Sequence, residues 1–161
     1  MAFQIEVTGM VELFQKMDKL GEKGRQAASL ALYEGARVVA DAVGQAVQGI
    51  ATEPFKYAKN GTKRKPSPEE KAAIVGAPHG VAKFRKNTTN VNTSVGLQNS
   101  GYGTVNGKTV PVPLIANAIN SGTSFMEKQP FMRKAFSQSK GSAMQAIEEG
   151  LKKRLEEMSE I

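Results

Sequence analysis

Phe3, Ile5 and Val7 alternate with polar neighbours at the start of the chain, a period of two that predicts a short half-buried strand over residues 3–7. Past Thr8-Gly9 the spacing changes, and Met10, Leu13, Phe14, Met17 and Leu20 fall on one face of a helix over residues 10–20. Gly21 and Gly24 interrupt or bend it. A longer stripe follows: Ala28, Ala31, Leu32, Gly35, Val39, Ala42, Val43, Ala46 and Ile50 keep the 3.6-residue period and predict a helix over Arg25–Thr52. Glu53-Pro54 is expected to end it, because the residue before a proline avoids the helical region. Much of that stripe is small. Small side chains let another backbone approach closely, from within the domain or from a neighbouring subunit.

Residues 55–90 are polar and basic, with one helix legible inside them. In "SPEEKAAIVG", Ser67 suits the N-cap, Pro68 the first helical position and Glu70 the third, which completes a capping box. Gly76 stops it, and the flanks read as loop. Val91, Thr93, Val95 and Leu97 alternate as in a strand. In "YGTVNGKTVPVP", Asn106-Gly107 predicts a type I′ hairpin that sets Val105 opposite Lys108 and Gly103 opposite Val110. Val105, Val110 and Val112 then share a face, and Pro111 and Pro113 demand an edge strand. "LIANAIN" at 114–120 reads as a short helical or turn segment ending at Gly122. From Pro130 to Met158 a last stripe runs through Met132, Ala135, Phe136, Ala143, Ile147, Leu151 and Leu155, with a bend expected at Gly141.

Two long helical stripes and several short alternating runs make an α+β fold: a small, mostly antiparallel sheet packed against two long helices, with a basic loop insertion. A chain of 161 residues fits a single domain, 1–161, in which 53–90 is the basic, partly flexible insertion. Cysteine is absent, so neither a disulfide nor a thiolate metal site is possible. Neither a signal peptide nor an apolar run of about 20 residues is evident; the chain reads as soluble and made in a reducing cytoplasm, with no membrane contact.

The formal charge of +7 is localised. Residues 56–86 carry nine basic and two acidic side chains, which accounts for the whole excess. Such a block suits an anionic partner or a solvated loop. Lys63, Arg64 and Lys65, together with Lys83, Arg85 and Lys86, are the candidates to face a partner or DNA, with Phe84 as a stacking surface among them. Catalytic signatures are missing: the chain has one histidine, His79, between proline and glycine, and no HExxH, GxSxG, P-loop or GxGxxG spacing. Glu69–Glu70 and Glu148–Glu149 are explained by capping, by i,i+4 pairing with Lys152 and Lys153 and by solvation. The expectation is no enzyme, no cofactor and no metal.

The stretch "SGTSFMEKQPFMRKAF" at 121–136, behind a strand–Gly–helix start and a long Ala/Val helix, resembles the tail-completion, or tail-component, family of long-tailed double-stranded DNA phages. That family's pattern is an acidic–aromatic–Gly-Thr turn, a small spacer, then Ala, a basic residue, Pro-Phe-hydrophobic, a basic residue and Pro-Ala. Gly122 and Thr123 match the turn; Pro130, Phe131, Met132, Arg133 and Ala135 match the helix start. Asn120 and Ser121 stand where the acidic and aromatic residues are usual, and Lys134 where the second proline is usual. The resemblance implies a structural protein of the virion neck or tail end, made in the host cytoplasm. It implies a homo-oligomeric ring, a hexamer by the symmetry of the tail, beside head-completion, tail-terminator or tail-tube proteins and near genomic DNA without sequence preference. Gly122 and Thr123 would fix the direction of the last helix, and Phe131 and Phe136 would anchor it in the core. The alternative is a small basic protein that binds DNA without sequence specificity.

Overall fold

The computed structural model describes residues 2–4, 11–59, 61–77, 79–81, 85–86, 91–97 and 101–159. Helix and strand are mixed, as expected. The helices are α1 (Val11–Lys19), α2 (Gly21–Gln48), α3 (Pro68–Val75), α4 (Val112–Ser121) and α5 (Phe131–Ser159). The strands are short: β1 (Ala2–Gln4), β2 (His79–Val81), β3 (Arg85–Lys86), β4 (Val91–Asn92), β5 (Ser94–Leu97), β6 (Tyr102–Val105) and β7 (Lys108–Pro111). The pairs β1–β5, β3–β4 and β6–β7 are antiparallel. No helix among the described residues is long and apolar enough to cross a membrane. The chain forms two compact units, residues 41–79 with 97–138 and residues 2–40 with 80–96 and 139–161. Both α2 and α5 contribute to each.

In the unit built on 2–40, 80–96 and 139–161, β1 pairs with β5 from Ala2↔Gly96 to Gln4↔Ser94. Ile5, Val7 and Met10 of the expected first strand and helix lie outside the described residues. Met17 is buried, but Leu20 is 43% exposed, because Gly21 (φ +61) ends α1 before the stripe can extend to it. The next helix therefore starts at Gly21 and not Arg25. Gly24 does not break it. A Cβ there would overlap the Met17 carbonyl, so the glycine lets α1 lie close against α2. The small stripe of α2 is filled from inside the chain. A Cβ on Gly35 would overlap the Ile147 side chain of α5, and Gly150 faces Ala31 and Glu34. Arg154 locks the same two helices through Glu34, Nη2 to Oε1 at 2.7 Å. Residues 79–81 and 85–86, read as loop, are strands, and α5 runs unbroken through Gly141.

In the other unit α2 stops at Gln48, five residues before Glu53-Pro54. Tight i→i+3 bonds from Gly49 to Ala46 and from Ile50 to Val47 close it. Lys71 Nζ then donates to the carbonyls of Gln48 (2.6 Å) and Ile50 (3.0 Å), where a cation also suits the helix dipole. The α3 capping box is present, with the Glu70 amide donating to Ser67 Oγ and the Ser67 amide donating to Glu70 Oε2. Asn106 (φ 48) and Gly107 (φ 72) form the expected turn, and the register is Val105↔Lys108 and Gly103↔Val110. The hairpin lies close against α3: a Cβ on Gly103 would reach to 2.5 Å from the Ala73 Cβ. Its second strand is shorter than expected, since Val112 and Pro113 already open α4.

Candidate functional site

The Gly-Thr to Pro-Phe stretch is an elbow between α4 and α5. Gly122 ends α4 with φ 75 and ψ 167, a conformation costly for any residue with a Cβ, and Lys128 crowds the same spot. Thr123 builds the turn itself. Its Oγ1 accepts the amides of Phe125 (3.2 Å) and Met126 (3.0 Å), and its own amide donates to the Met126 carbonyl. Pro130 stands immediately before α5, and its carbonyl accepts the first helical bond, from Lys134. Phe131, Met132 and Ala135 are buried, while Arg133 is exposed. Asn120 Oδ1 accepts the Met132 amide at 3.0 Å, satisfying one of the amides that every helix leaves open at its start. Gln129 is fixed by its amide on Ile119 and by two side-chain bonds with the backbone of Ala51, both 2.9 Å. The expected core anchor Phe131 is 4% exposed; Phe136 is half-buried.

A second segment clasps this elbow. Arg64 pairs in parallel with Met126: its amide donates to the Phe125 carbonyl (2.9 Å) and its carbonyl accepts the Glu127 amide (2.8 Å). The Arg64 side chain turns inward. Arg64, expected to face a partner or DNA, is only 6% exposed and therefore does neither. Nη1 and Nη2 each donate to one Glu70 carboxylate oxygen at 2.6 Å, a two-pronged pair, and Nη1 also reaches the Lys65 carbonyl. The guanidinium lies 4.9 Å from the Phe55 ring centroid, within cation–π range. Burial alone would push the Glu70 carboxyl up. The bonds from Arg64 and from Ser67, with the guanidinium charge, outweigh burial and hold it below its ordinary value. Glu53 stitches the rest of the segment. Its carboxylate takes the Lys65 amide (2.7 Å) and Lys56 Nζ (2.9 Å), and its amide donates to the Pro66 carbonyl.

The six basic candidates thus part company. Lys63 and Lys65 are exposed, Arg64 is internal, and the backbones of Arg85 and Lys86 pair with Asn92 and Val91. Lys83 and Phe84 lie outside the described residues. The elbow brings Gly122, Thr123, Pro130 and Phe131 together and Arg64 to them; it does not bring Lys63 or Lys65 inward. Sequence reasoning missed the partnership of Arg64 with Glu70, the Asn120 cap and the Gln129–Ala51 bonds. For Arg64 a faint signal existed, since an extended "KRK" alternates and one of its three side chains must face the other way. No group of three His, Asp or Glu side chains that could hold a metal occurs among the described residues. Compared with protein-family models, curated proteins and solved structures, the chain matches none.

Proposed function

We propose that this chain is a structural subunit of a phage particle, acting at the neck or tail end by ring assembly and not by catalysis. The observation that carries the reading is the elbow at 120–131. The residues that resemble the tail-completion pattern are the ones that set one helix against the next. Gly122 supplies the left-handed corner and Thr123 the turn bonds. Asn120, at the place usually acidic, supplies the oxygen acceptor for the Met132 amide, a bond that a carboxylate oxygen can also accept. Lys134, at the place usually proline, instead contributes a first-turn amide bond. On this reading 53–90 is an insertion whose exposed lysines, Lys63 and Lys65 among them, look outward. The ring is six-fold, its neighbours are head-completion, tail-terminator or tail-tube proteins, and the protein resides in the virion after synthesis in the host cytoplasm.

Removing the gene from the genome that encodes it, then imaging particles by negative stain, tests this directly. The expected result is full heads and separate or malformed tails, restored to joined particles by the gene supplied in trans. Normal particles in its absence would overturn the reading. The second reading, a basic protein binding DNA without sequence preference, is favoured by the exposure of Lys63 and Lys65 and predicts tight, salt-dependent binding of any duplex by the isolated chain.

A further inference from the structure

Residues 63–65 and 125–127 run side by side, and only the middle residue of each points inward. Arg64 and Met126 are buried, whereas Lys63, Lys65, Phe125 and Glu127 are exposed. With Arg64 and Met126 buried at the bridge, their exposed neighbours Lys63, Lys65 and Glu127, and Phe125 at the bend, lie on its outer side. Phe125 leaves 47% of its surface in water although the backbone beneath it is pinned by Thr123 and Arg64. Neither lysine ammonium is in an ion pair among the described residues; the Lys65 charge bears on Glu53, which takes the Lys65 amide but is already paired with Lys56. The face is therefore rigid, cationic and partly apolar. Glu127 within it makes it a poor track for a phosphate backbone and a better one for a protein surface of mixed character.

The complementary feature is the end of α5. Its last turn carries Glu156 and Glu157 and no basic residue, so two carboxylates stand where the helix dipole favours cations. The nearby cations have nearer partners: Lys152 binds Glu148 and Arg154 binds Glu34, while Glu156 and Glu157 act on them only through space, and Lys153 also bears on Glu34. Glu156 and Glu157 are exposed and in no ion pair among the described residues, and Met158 beside them is half-buried. Local charge opposes the helix dipole here, and Lys152 and Arg154, each already bonded to another carboxylate, offset it only in part.

We propose that the Lys63–Lys65–Phe125 face receives the α5 C-terminal turn of a second copy of this chain. Glu156 and Glu157 meet the two lysines, and Met158 lies against Phe125, a contact sulfur makes well with aromatic rings. The surfaces joined are different, so the contact is heterologous and propagates into a ring when its rotation closes. This rests on the ring reading above and names the surfaces that would build the ring.

Sedimentation velocity on the full chain over a range of protein and salt concentrations supplies the test. Wild type should self-associate, and more weakly as salt rises. Lys63→Glu/Lys65→Glu and Glu156→Lys/Glu157→Lys should each weaken association about 100-fold, since two like-charge juxtapositions replace two attractions. Mixing the two variants, or joining all four changes in one chain, should restore it. Circular-dichroism melts show whether the variants fold, and restoration on mixing can come only from folded ones. Association unchanged by both reversals would sink the named surfaces and leave the ring reading to the particle experiment. A wild type that stays monomeric at low salt, or that binds duplex DNA through Lys63 and Lys65 instead of itself, would also overturn the contact.

Discussion

Glu70 holds two structural roles at once, and its ionisation links them. It completes the α3 capping box and neutralises the buried Arg64, which in turn fixes 63–65 beside the elbow. A buried pair of this kind adds little over an apolar replacement of both partners, but removing one partner strands the other charge, at about 3–5 kcal/mol. Glu70→Gln should therefore lower stability by about that amount at neutral pH. Its folded pKa lies below that of an unfolded glutamate, about 4.3. Its contribution is thus complete above about pH 4.3 and disappears as the pH falls through the lowered folded value. Thermal melts of wild type and Glu70→Gln at pH 7 and at acid pH check both points: the gap between them should narrow in acid. A gap that stays constant would mean Glu70 does not carry the charge that Arg64 needs.

Elements whose causes are local were legible in the chain; those set by distant contacts were not. The hairpin register follows from Asn106-Gly107 and the α3 start from Ser67, Pro68 and Glu70, each within a few residues. The end of α2 was misplaced at Pro54 because its determinants include Lys71, more than twenty residues away, acting on Gln48 and Ile50. Strands 79–81 and 85–86 escaped because two- and three-residue runs in a basic stretch carry no period to read. The elbow was half legible: glycine, threonine and proline announce it, while Asn120 reaches Met132 across twelve positions. Asn120→Ala should cost about 1–3 kcal/mol, the penalty for a buried amide left open. Asn120→Asp should retain most of the stability, since a carboxylate at a helix start accepts the same bond. Denaturant unfolding distinguishes them, and equal losses would deny Asn120 its capping role. Gly35→Ala tests the other helix contact. An exposed glycine in a helix would gain about 1 kcal/mol from alanine, but here the new methyl must displace Ile147 and press on the Ala143 carbonyl. Overpacking of about 1–3 kcal/mol should win, giving a net loss in the same unfolding experiment.

Across the whole molecule, the charge excess read from the sequence divides into cations that hold the fold and cations that remain available. Arg64, Lys71 and Arg154 are committed to Glu70, to the end of α2 and to Glu34. Lys63 and Lys65 are not, although they flank Arg64 directly. Three consecutive basic residues should therefore fall into two classes when neutralised. Surface changes away from specific contacts stay within about 0.5 kcal/mol, and in a chain of this size each kcal/mol moves the melting temperature by about 2–4 °C. Lys63→Gln/Lys65→Gln should thus melt within about 2 °C of wild type. Arg64→Gln leaves Glu70 buried without its partner and should melt about 10 °C lower or more. Assembly should reverse the order of interest: the double lysine variant, folded as well as wild type, should yield fewer joined particles in the complementation experiment, and fewer still as salt rises. Adding Lys83, Arg85 and Lys86 to the set asks whether the second basic cluster shares the task. If the lysine pair instead lowered the melting temperature as far as Arg64→Gln does, Lys63 and Lys65 would belong to the clasp, and the cationic face would have no free charge to offer a neighbour.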